Sequence, residues 1–340
     1  MDHTQAAFFG PFYNFNQRKW DPEMCQLFGV PFSWFPSLKN AHQVAGYITK
    51  NISQETGLKE GTPVVSGTAD GMAEVISAGA VEPGEVTLIY GTTGIISINT
   101  ERLQTIKELW TLPHFMLPGH YFVLGGTATS AALTKWFRDN FGDIESVMQQ
   151  RTGVNAYELL AKQASTIKPG SDGLLVLPYF SGERTPIHDP LASGLMMGLN
   201  VMHSRRHIYR ALLEGAAYSF RHHFEIFKNN GLAIKNVVAC GGGAKSETWV
   251  QIVSDILGYD QSISRVDIGS EIGMAYMAAK AINLFDSYYD IIKTAAQGKL
   301  PKKIAYNKKN FQLYSQYYQI YRSVYQNVKN DMHRLVNIQG

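Results

Sequence analysis

From about residue 60 onward, short apolar runs alternate with longer stretches whose apolar residues recur at helical spacing. The clearest helix is predicted over 204–229, with Ser204 as its cap and Gly231 at its end. A strand over Asn236–Cys240 and a helix over 246–257 follow it. Because alternating strands and helices are typical of proteins in which helices cover a sheet, the sequence predicts an α/β fold.

The composition supports a large core and limits the classes of partner. Of the 340 residues, 45% are hydrophobic and 17% are charged, which is enough apolar material for one large domain or two ordinary ones. A net charge of +3 lacks the strong basic excess typical of nucleic-acid binding. Cys25 and Cys240 are too few for a disulfide scaffold, and no apolar run approaches the roughly 18 residues of a membrane span. We therefore expect a cytoplasmic protein that binds a small molecule rather than nucleic acid or a membrane.

The first candidate site is a short glycine-flanked loop between two β-rich runs. Strands are predicted at Val86–Tyr90 and Ile95–Asn99, with Gly91-Thr92-Thr93-Gly94 as a hairpin loop between them. Glycines let a ligand approach the backbone closely, and free N–H groups beside two hydroxyls would suit a phosphate. The alternative is a plain hairpin turn, and the motif taken alone favours that alternative.

The second candidate is the glycine-rich turn between the strand ending at Cys240 and the helix starting near Ser246. The sequence there is Gly241-Gly242-Gly243-Ala244-Lys245-Ser246. A strand–turn–helix arrangement directs free N–H groups and the positive helix end toward an anion such as a nucleotide phosphate. A tight turn with Ser246 as N-cap is the alternative. A dinucleotide fingerprint is disfavoured, because Ser246 stands where its last glycine should be.

The third candidate is Asp70, between a strand predicted over 63–67, which we expect to be buried, and a helix predicted over 71–80. A carboxylate at the end of a strand can act as a general base that takes a proton from a hydroxyl group. The alternative is an ordinary helix N-cap, and the position alone favours the cap.

Other polar groups are predicted to be structural. Glu183, Arg184 and Asp189 are expected to form an ion-paired brace within a long loop, and the alternative is that they reach the ligand. A mostly solvated face is predicted for the basic cluster that begins the long helix: Arg205, Arg206, His207 and Arg210. The adjacent pair His222-His223 lacks the i, i+4 spacing of a helical metal site, so no metal site is predicted there.

Taken together and in order, these motifs resemble the FGGY carbohydrate kinases, most closely their xylulokinase-like branch. The resemblance runs from about Tyr13 to about Asp286. It rests on the following segments: Lys19–Glu23, Gly61–Val65, Ala69–Gly71, Gly79–Gly84, Gly91–Gly94, Trp136–Asp139, Pro178–Pro186, Gly194–Glu214 and Gly241–Ser246. So many matches in one order make the resemblance specific.

The resemblance implies two domains of the actin-like, ribonuclease-H-like ATPase fold with the active site between them. Residues 1–80 would be the last part of domain I, and residues 81–340 would be domain II. Asp70 would be the catalytic base that deprotonates the sugar hydroxyl, with Gly71 beside it at the substrate. The nucleotide would contact two loops. The second phosphate loop would consist of Gly91, Thr92, Thr93 and Gly94, and the adenosine loop would consist of Gly242, Gly243 and Ala244. The resemblance implies ATP as co-substrate and Mg²⁺ as the accompanying ion, but no metal held by protein side chains. A homodimer is a possible assembly.

The sequence departs from the family pattern at three places. No Asp-x-Gly-Thr-(Thr/Ser) phosphate loop is present, so the chain resembles the C-terminal two-thirds of such a kinase and is expected to be inactive or slow by itself. Gly71 replaces an Asn that is usual in xylulokinases, which leaves gluconate, ribulose and glycerol as alternative substrates. The glycines usual before Trp136 are replaced by Ser130, Ala131 and Ala132. A non-catalytic nucleotide-binding module is the second hypothesis, and a dinucleotide-dependent oxidoreductase is a distant third.

Overall fold

The protein, here a computed structural model, is described over residues 1–263, 269–295 and 301–339. Its first 77 residues form short elements. The helices are α1 (His3–Ala6), α2 (Pro22–Leu27), α3 (Lys50–Thr56) and α4 (Asp70–Ser77). The strands form two antiparallel pairs, β1 (Tyr13–Asn14) with β2 (Lys19–Trp20), and β3 (Val44–Tyr47) with β4 (Pro63–Val65). The strand predicted at 63–67 is therefore present, but the expectation that it is buried was wrong, since Pro63 and Val64 are exposed.

A seven-stranded mixed sheet organises the remainder of the chain. In chain order its strands are β5 (Glu85–Tyr90), β6 (Gly94–Thr100), β7 (Trp110–Pro113), β8 (Tyr121–Thr127), β11 (Asn236–Cys240), β12 (Gln261–Ile263) and β13 (Lys302–Ile304). They lie side by side in the order β13-β12-β11-β5-β6-β8-β7. A separate antiparallel pair is β9 (Leu175–Leu177) with β10 (Leu195–Met197). Strand β5 pairs with β6 antiparallel and with β11 parallel, so β5 and β11 end at the same edge of the sheet.

Helices cover both faces of this sheet. After α4 they are α5 (Ala131–Phe141), α6 (Asp143–Thr152), α7 (Ala156–Ala164), α8 (Arg205–Asn229), α9 (Glu247–Leu257), α10 (Ser270–Ala281), α11 (Tyr288–Ala295) and α12 (Lys308–Gln339). Side chains alternate along β5: Leu88 and Tyr90 pack with the core of α8 and α9, whereas Ile89 packs with the core of α4 and α10. The predicted α/β class is confirmed.

The long helix begins and ends as predicted. Ser204 and His207 form a capping box at the start of α8, and the helix ends at Asn229, just before Gly231 with a φ of +74°. Tyrosines recur at helical intervals in the C-terminal helix α12 and form a packing face. The buried ones are Tyr314, Tyr318, Tyr321 and Tyr325.

The basic cluster at the start of α8 is not a solvated face throughout. Arg210 is buried and its guanidinium donates to Glu214 at 2.8 Å and to the Tyr314 hydroxyl at 2.9 Å. Arg205 pairs with the buried Glu145 at 2.6 Å. The prediction was wrong for these two residues because α12 and α6 cover this side of α8, and neither contact is visible in the local sequence.

The loop of Glu183 and Asp189 is braced, but not by ion pairs between its members. The backbones of Glu183 and Asp189 exchange hydrogen bonds of 2.8 and 2.9 Å. Asp189 also accepts from the hydroxyl of Tyr325 and contacts the imidazole of His333, both on α12. Arg184 is exposed. The loop is therefore anchored to the C-terminal helix.

Candidate active site

The hairpin predicted around Gly91-Thr92-Thr93-Gly94 is present. Tyr90 stands opposite Gly94, which leaves Gly91, Thr92 and Thr93 as the tip. Thr92 is exposed, whereas Gly94 is buried as the first residue of β6. A side chain at Gly94 would overlap the buried ring of Phe220, so glycine is required there by close packing.

The carbonyl groups of the tip face the start of α5. The N–H of Ala131 donates to Gly91 O at 2.8 Å, and the N–H groups of Ser130 and Ala132 donate to Thr92 O at 3.0 and 3.2 Å. In a trans peptide the C=O and the following N–H point in opposite directions. The N–H groups of Thr92 and Thr93 therefore point away from α5, and neither donates to another residue that the structure describes. Two unused N–H groups on an exposed turn are available to bind an anion.

The glycine turn follows the neighbouring strand β11. Gly241 has a φ of +85°, residues Gly242–Lys245 form a turn of 3₁₀ helix, and the Ser246 hydroxyl accepts from the N–H of Trp249 at 3.4 Å. Ser246 is therefore the N-cap of α9, as the structural alternative for this motif expected. The room for a side chain differs within the turn: a Cβ at Gly243 would lie 2.9 Å from the Cβ of Tyr90, whereas a Cβ at Gly242 would meet nothing within 4 Å.

Of the predicted adenosine-loop residues, Gly242 is exposed and Gly243 is half-buried. Ala244 is 3% exposed and its methyl group belongs to the core. Only the backbone of Ala244 is thus placed to meet a ligand.

Asp70 is the first residue of α4, and Ala69 occupies the N-cap position. The interpretation of Asp70 as an ordinary N-cap was therefore wrong. Its carboxylate is exposed and accepts from the N–H of Gly71 at 2.7 Å. A Cβ at Gly71 would lie 3.9 Å from the side chain of Ile95, the residue after Gly94, so the start of α4 lies beside the hairpin.

Two glutamates near Asp70 were missed at the level of sequence. Burial, together with the nearby carboxylates of Asp70 and Glu271, raises the pKa of Glu74. Glu74 follows Asp70 by one helical turn, and that i, i+4 spacing was a usable signal. Glu271 comes from α10, which packs so closely on α4 that Gly273 leaves no room for a Cβ against the backbone of Ala73. Only the tertiary structure brings Glu271 here.

A buried polar layer supports the strand behind the hairpin. Glu183 accepts from the N–H of Ala128 at 2.6 Å and from the hydroxyl of Ser219 at 3.3 Å. Burial raises the pKa of Glu183 to about 7. The Thr185 hydroxyl contacts Gly126 and the imidazole of His223, whose pKa burial lowers to about 4. These side chains position the backbone and do not reach the exposed side of the hairpin tip.

The three predicted segments lie at one edge of the large sheet. Strands β5 and β11 run parallel with Cys240 opposite Ile89, so the hairpin tip and the glycine turn follow neighbouring strand ends. Gly243 contacts Tyr90, and Gly71 lies against Ile95. The carboxyl ends of parallel strands are a common place for ligands in α/β sheets. The exposed carboxylate is that of Asp70, whose neighbour Gly71 lies against the hairpin strand β6, and a carboxylate near a bound phosphate can take a proton from an attacking hydroxyl.

Within the described residues, no helix combines the length and apolarity needed to cross a membrane. Over the same part of the chain, no three His, Cys, Asp or Glu side chains are grouped so as to hold a metal ion.

Comparison with known proteins agrees with the sequence resemblance. Residues 86–282 match the C-terminal domain, and residues 1–77 the N-terminal domain, of the FGGY family of carbohydrate kinases. A xylulose kinase of Bacillus subtilis is 29% identical over 319 residues, covering 92% of this chain and 61% of that protein. A gluconokinase of the same organism is 29% identical over 290 residues, covering 85% of this chain and 56% of that protein.

Among solved structures, the xylulose kinase of Rhodospirillum rubrum aligns with a TM-score of 0.83 and 30% identity. The alignment covers 98% of this chain and 65% of that one. The chain thus spans less than two-thirds of the length of each of these relatives.

Proposed function

The chain belongs to the FGGY family of carbohydrate kinases, and from that premise we propose that it serves the ATP-dependent phosphorylation of a sugar hydroxyl, with Asp70 as the general base. Its fold is the actin-like, ribonuclease-H-like ATPase fold of that family. We also propose a domain boundary near residue 80, with residues 1–80 belonging to domain I and 81–340 forming domain II. The gap between the two family matches supports this boundary.

One observation carries the proposal: Asp70, the hairpin tip and the glycine turn lie at the same edge of the sheet. Because Gly71 lies against Ile95 and Gly243 against Tyr90, the strand pair β5–β6 connects the carboxylate to both loops. A carboxylate, an anion receptor and an open glycine turn are the parts that a phosphoryl transfer to a hydroxyl needs.

Each part has a proposed role. ATP supplies the γ-phosphoryl group, and Mg²⁺ bound to its phosphates neutralises their charge. The N–H groups of Thr92 and Thr93, with Gly91 and Gly94 on either side, hold the phosphates. The backbones of Gly242, Gly243 and Ala244 contact the adenosine end, where the open space at Gly242 leaves room for it. Asp70 accepts the proton of the attacking hydroxyl, and Gly71 leaves space beside it for the sugar.

For the sugar, we propose a ketopentose of the xylulose type. The support is the similarity to the two xylulose kinases, at 29% and 30% identity. Because a gluconokinase is also 29% identical, gluconate is the main alternative substrate. Ribulose and glycerol are the other sugars and polyols to be assayed.

The test measures nucleotide binding and sugar-dependent ADP release on the full chain. We expect ADP and MgATP to bind, and Asp70→Asn to reduce any sugar-dependent ADP release by at least about a hundredfold, since general-base catalysis contributes about 10²–10⁴-fold. Asp143→Asn is the matched control, because Asp143 is also an exposed first residue of a helix, α6. It should leave turnover unchanged.

The outcomes separate the hypotheses. Sugar-dependent turnover that survives Asp70→Asn would contradict the role of Asp70. Because the chain by itself is expected to be inactive or slow, ATP binding without turnover on xylulose, ribulose, gluconate or glycerol would fit the non-catalytic nucleotide-binding module as well as the kinase and would count against the oxidoreductase. Binding of NAD without ATP would support the oxidoreductase hypothesis instead.

A further inference from the structure

We propose that Thr127 is a positioning residue that fixes the hairpin tip for nucleotide phosphates, an inference that rests on the proposed function. Thr127 is the last residue of β8 and is fully buried. Its hydroxyl oxygen accepts from the N–H of Gly94 at 3.0 Å and donates to the carbonyl of Thr129 at 3.1 Å. It therefore binds the backbone at the base of the tip without reaching the exposed side.

The segment Thr127–Ala132 contacts the tip at three points. The Thr127 hydroxyl takes the N–H of Gly94, while the first N–H groups of α5 donate to the carbonyls of Gly91 and Thr92. The contacts from the start of α5 fix the peptide planes on both sides of Thr92 and so determine the direction of the N–H groups proposed to bind phosphate. The Thr127 hydroxyl fixes the next peptide plane, between Thr93 and Gly94, and so holds the base from which the tip projects. One short segment thus sets the geometry of the whole tip.

The rest of the fold holds this segment in place from behind. The Ala128 N–H donates to the buried carboxyl of Glu183, and the Thr129 hydroxyl donates to the carbonyl of Pro178. Thr127 is thus connected on one side to the hairpin and on the other to the loop that α12 anchors through Asp189. Without the hydroxyl, the Gly94 N–H would be buried with no acceptor, and the base of the tip would be free to shift.

The test compares three substitutions of buried threonines. Thr127→Val removes the hydroxyl with little change of shape, and Thr127→Ser keeps it. Thr87→Val is the matched control, because Thr87 lies buried in β5 of the same sheet and its hydroxyl has no partner among the described residues. Thr127→Ala serves as a second variant without the hydroxyl if Thr127→Val does not fold.

Two measurements are made on the full chain, each at a temperature where the variant is folded. Hydrogen exchange of the Gly94 amide should accelerate in Thr127→Val and stay unchanged in Thr87→Val. ADP affinity should fall about tenfold in Thr127→Val, because the unpaired Gly94 donor lets the base of the tip shift and disturbs the phosphate-binding geometry. Thr127→Ser should restore it. Adenosine affinity should be the same in all variants, since the tip contacts only phosphates.

Equal loss of ADP and adenosine affinity would show a general structural defect and would overturn the inference. So would ADP affinity that is unchanged while Gly94 exchange accelerates, because the anchor would then be irrelevant to phosphate. A third outcome is that the unsubstituted chain binds no ADP although its Gly94 amide is protected from exchange. In that case the proposed function would be wrong, and so would the role of Thr127 in phosphate binding. The hydrogen bond between Gly94 and Thr127 would still be supported.

Discussion

The two loops at the edge of the sheet are held in place by different means. The hairpin tip is fixed by hydrogen bonds from another segment of the chain, through the Thr127 hydroxyl and the first N–H groups of α5. The hydrogen bonds of the glycine turn are local: Ala244 N–H donates to Gly241 O, and the Ser246 hydroxyl caps the following helix, while the positive φ of Gly241 sets the bend. Its close contact with a distant segment is the packing of Gly243 on Tyr90. Two similar glycine-rich motifs are thus held in place by different contacts, one by hydrogen bonds from a distant segment and the other mainly by bonds between neighbouring residues. Substitutions in the two loops should therefore differ in their effect on the free energy of unfolding.

The largest effect is expected at the hairpin. Gly94→Ala places a Cβ against the ring of Phe220 and 2.9 Å from the Thr127 hydroxyl oxygen. Because both neighbours are fully buried, we expect a loss of about 3 kcal/mol in the free energy of unfolding, measured by urea denaturation. Gly46→Ala in β3, where nothing lies within 4 Å, is the control and should be nearly neutral. A neutral Gly94→Ala would show that the hairpin can shift away from Phe220.

The buried carboxyl behind the hairpin should make stability depend on pH. Because burial raises the pKa of Glu183 to about 7 from a usual value of 4.5, ionisation is disfavoured in the folded state. Stability is therefore lost as the pH rises from about 5 to 8, and Glu183→Gln should remove that loss. At about 1.4 kcal/mol per pKa unit, we expect the variant to gain about 2 kcal/mol over the wild type on going from pH 5 to pH 8.

Thermal or urea unfolding of both proteins at several pH values measures this difference. The stability difference between Glu183→Gln and the wild type could instead be the same at every pH. That result would mean that Glu183 has an ordinary pKa because the hydrogen bonds from Ala128 and Ser219 offset its burial. The glycine turn has no corresponding buried carboxyl among the residues described at its base, so this pH dependence would sharpen the contrast between the loops.

The local support of the glycine turn is tested by removing its cap. Ser246→Ala leaves the N–H of Trp249 without its side-chain acceptor, and we expect a loss of about 1 kcal/mol in the free energy of unfolding. Ser246→Thr keeps a hydroxyl and should lose much less. If Ser246→Ala were as costly as Gly94→Ala, the turn would not be the more weakly supported loop.

The smallest effect on stability is expected at Gly242. Its Cβ position is open and its φ is not in the left-handed region, so Gly242→Ala should change the free energy of unfolding by less than about 0.5 kcal/mol. Nucleotide titration then isolates the proposed binding role, because a methyl group there should weaken ADP binding without unfolding the protein. Unchanged ADP affinity would contradict the contact assigned to Gly242.

Much of the fold was predictable from local patterns. The hairpin, the long helix α8 and the helix after the glycine turn were predicted to within a few residues, because strand alternation, helical spacing and caps are local signals. Strand β8 was missed since Gly125 and Gly126 lower its strand propensity. The structure explains these glycines in part, because a Cβ at Gly125 would lie 2.6 Å from the Thr185 hydroxyl. Helix α6 was missed because it is mostly exposed and weakly amphipathic.

The sequence by itself determined where the chain turns, which glycines open the two loops, and that a carboxylate begins α4. Only the tertiary structure decided that these three places share one edge, that Thr127 holds Gly94 from 33 residues away, and that Glu271 lies beside Glu74. The physical reason is the range of the interactions. Turns and helices follow from neighbours a few residues apart, whereas hydrogen bonds and charges between distant segments depend on the pairing of strands and the packing of helices that bring them together.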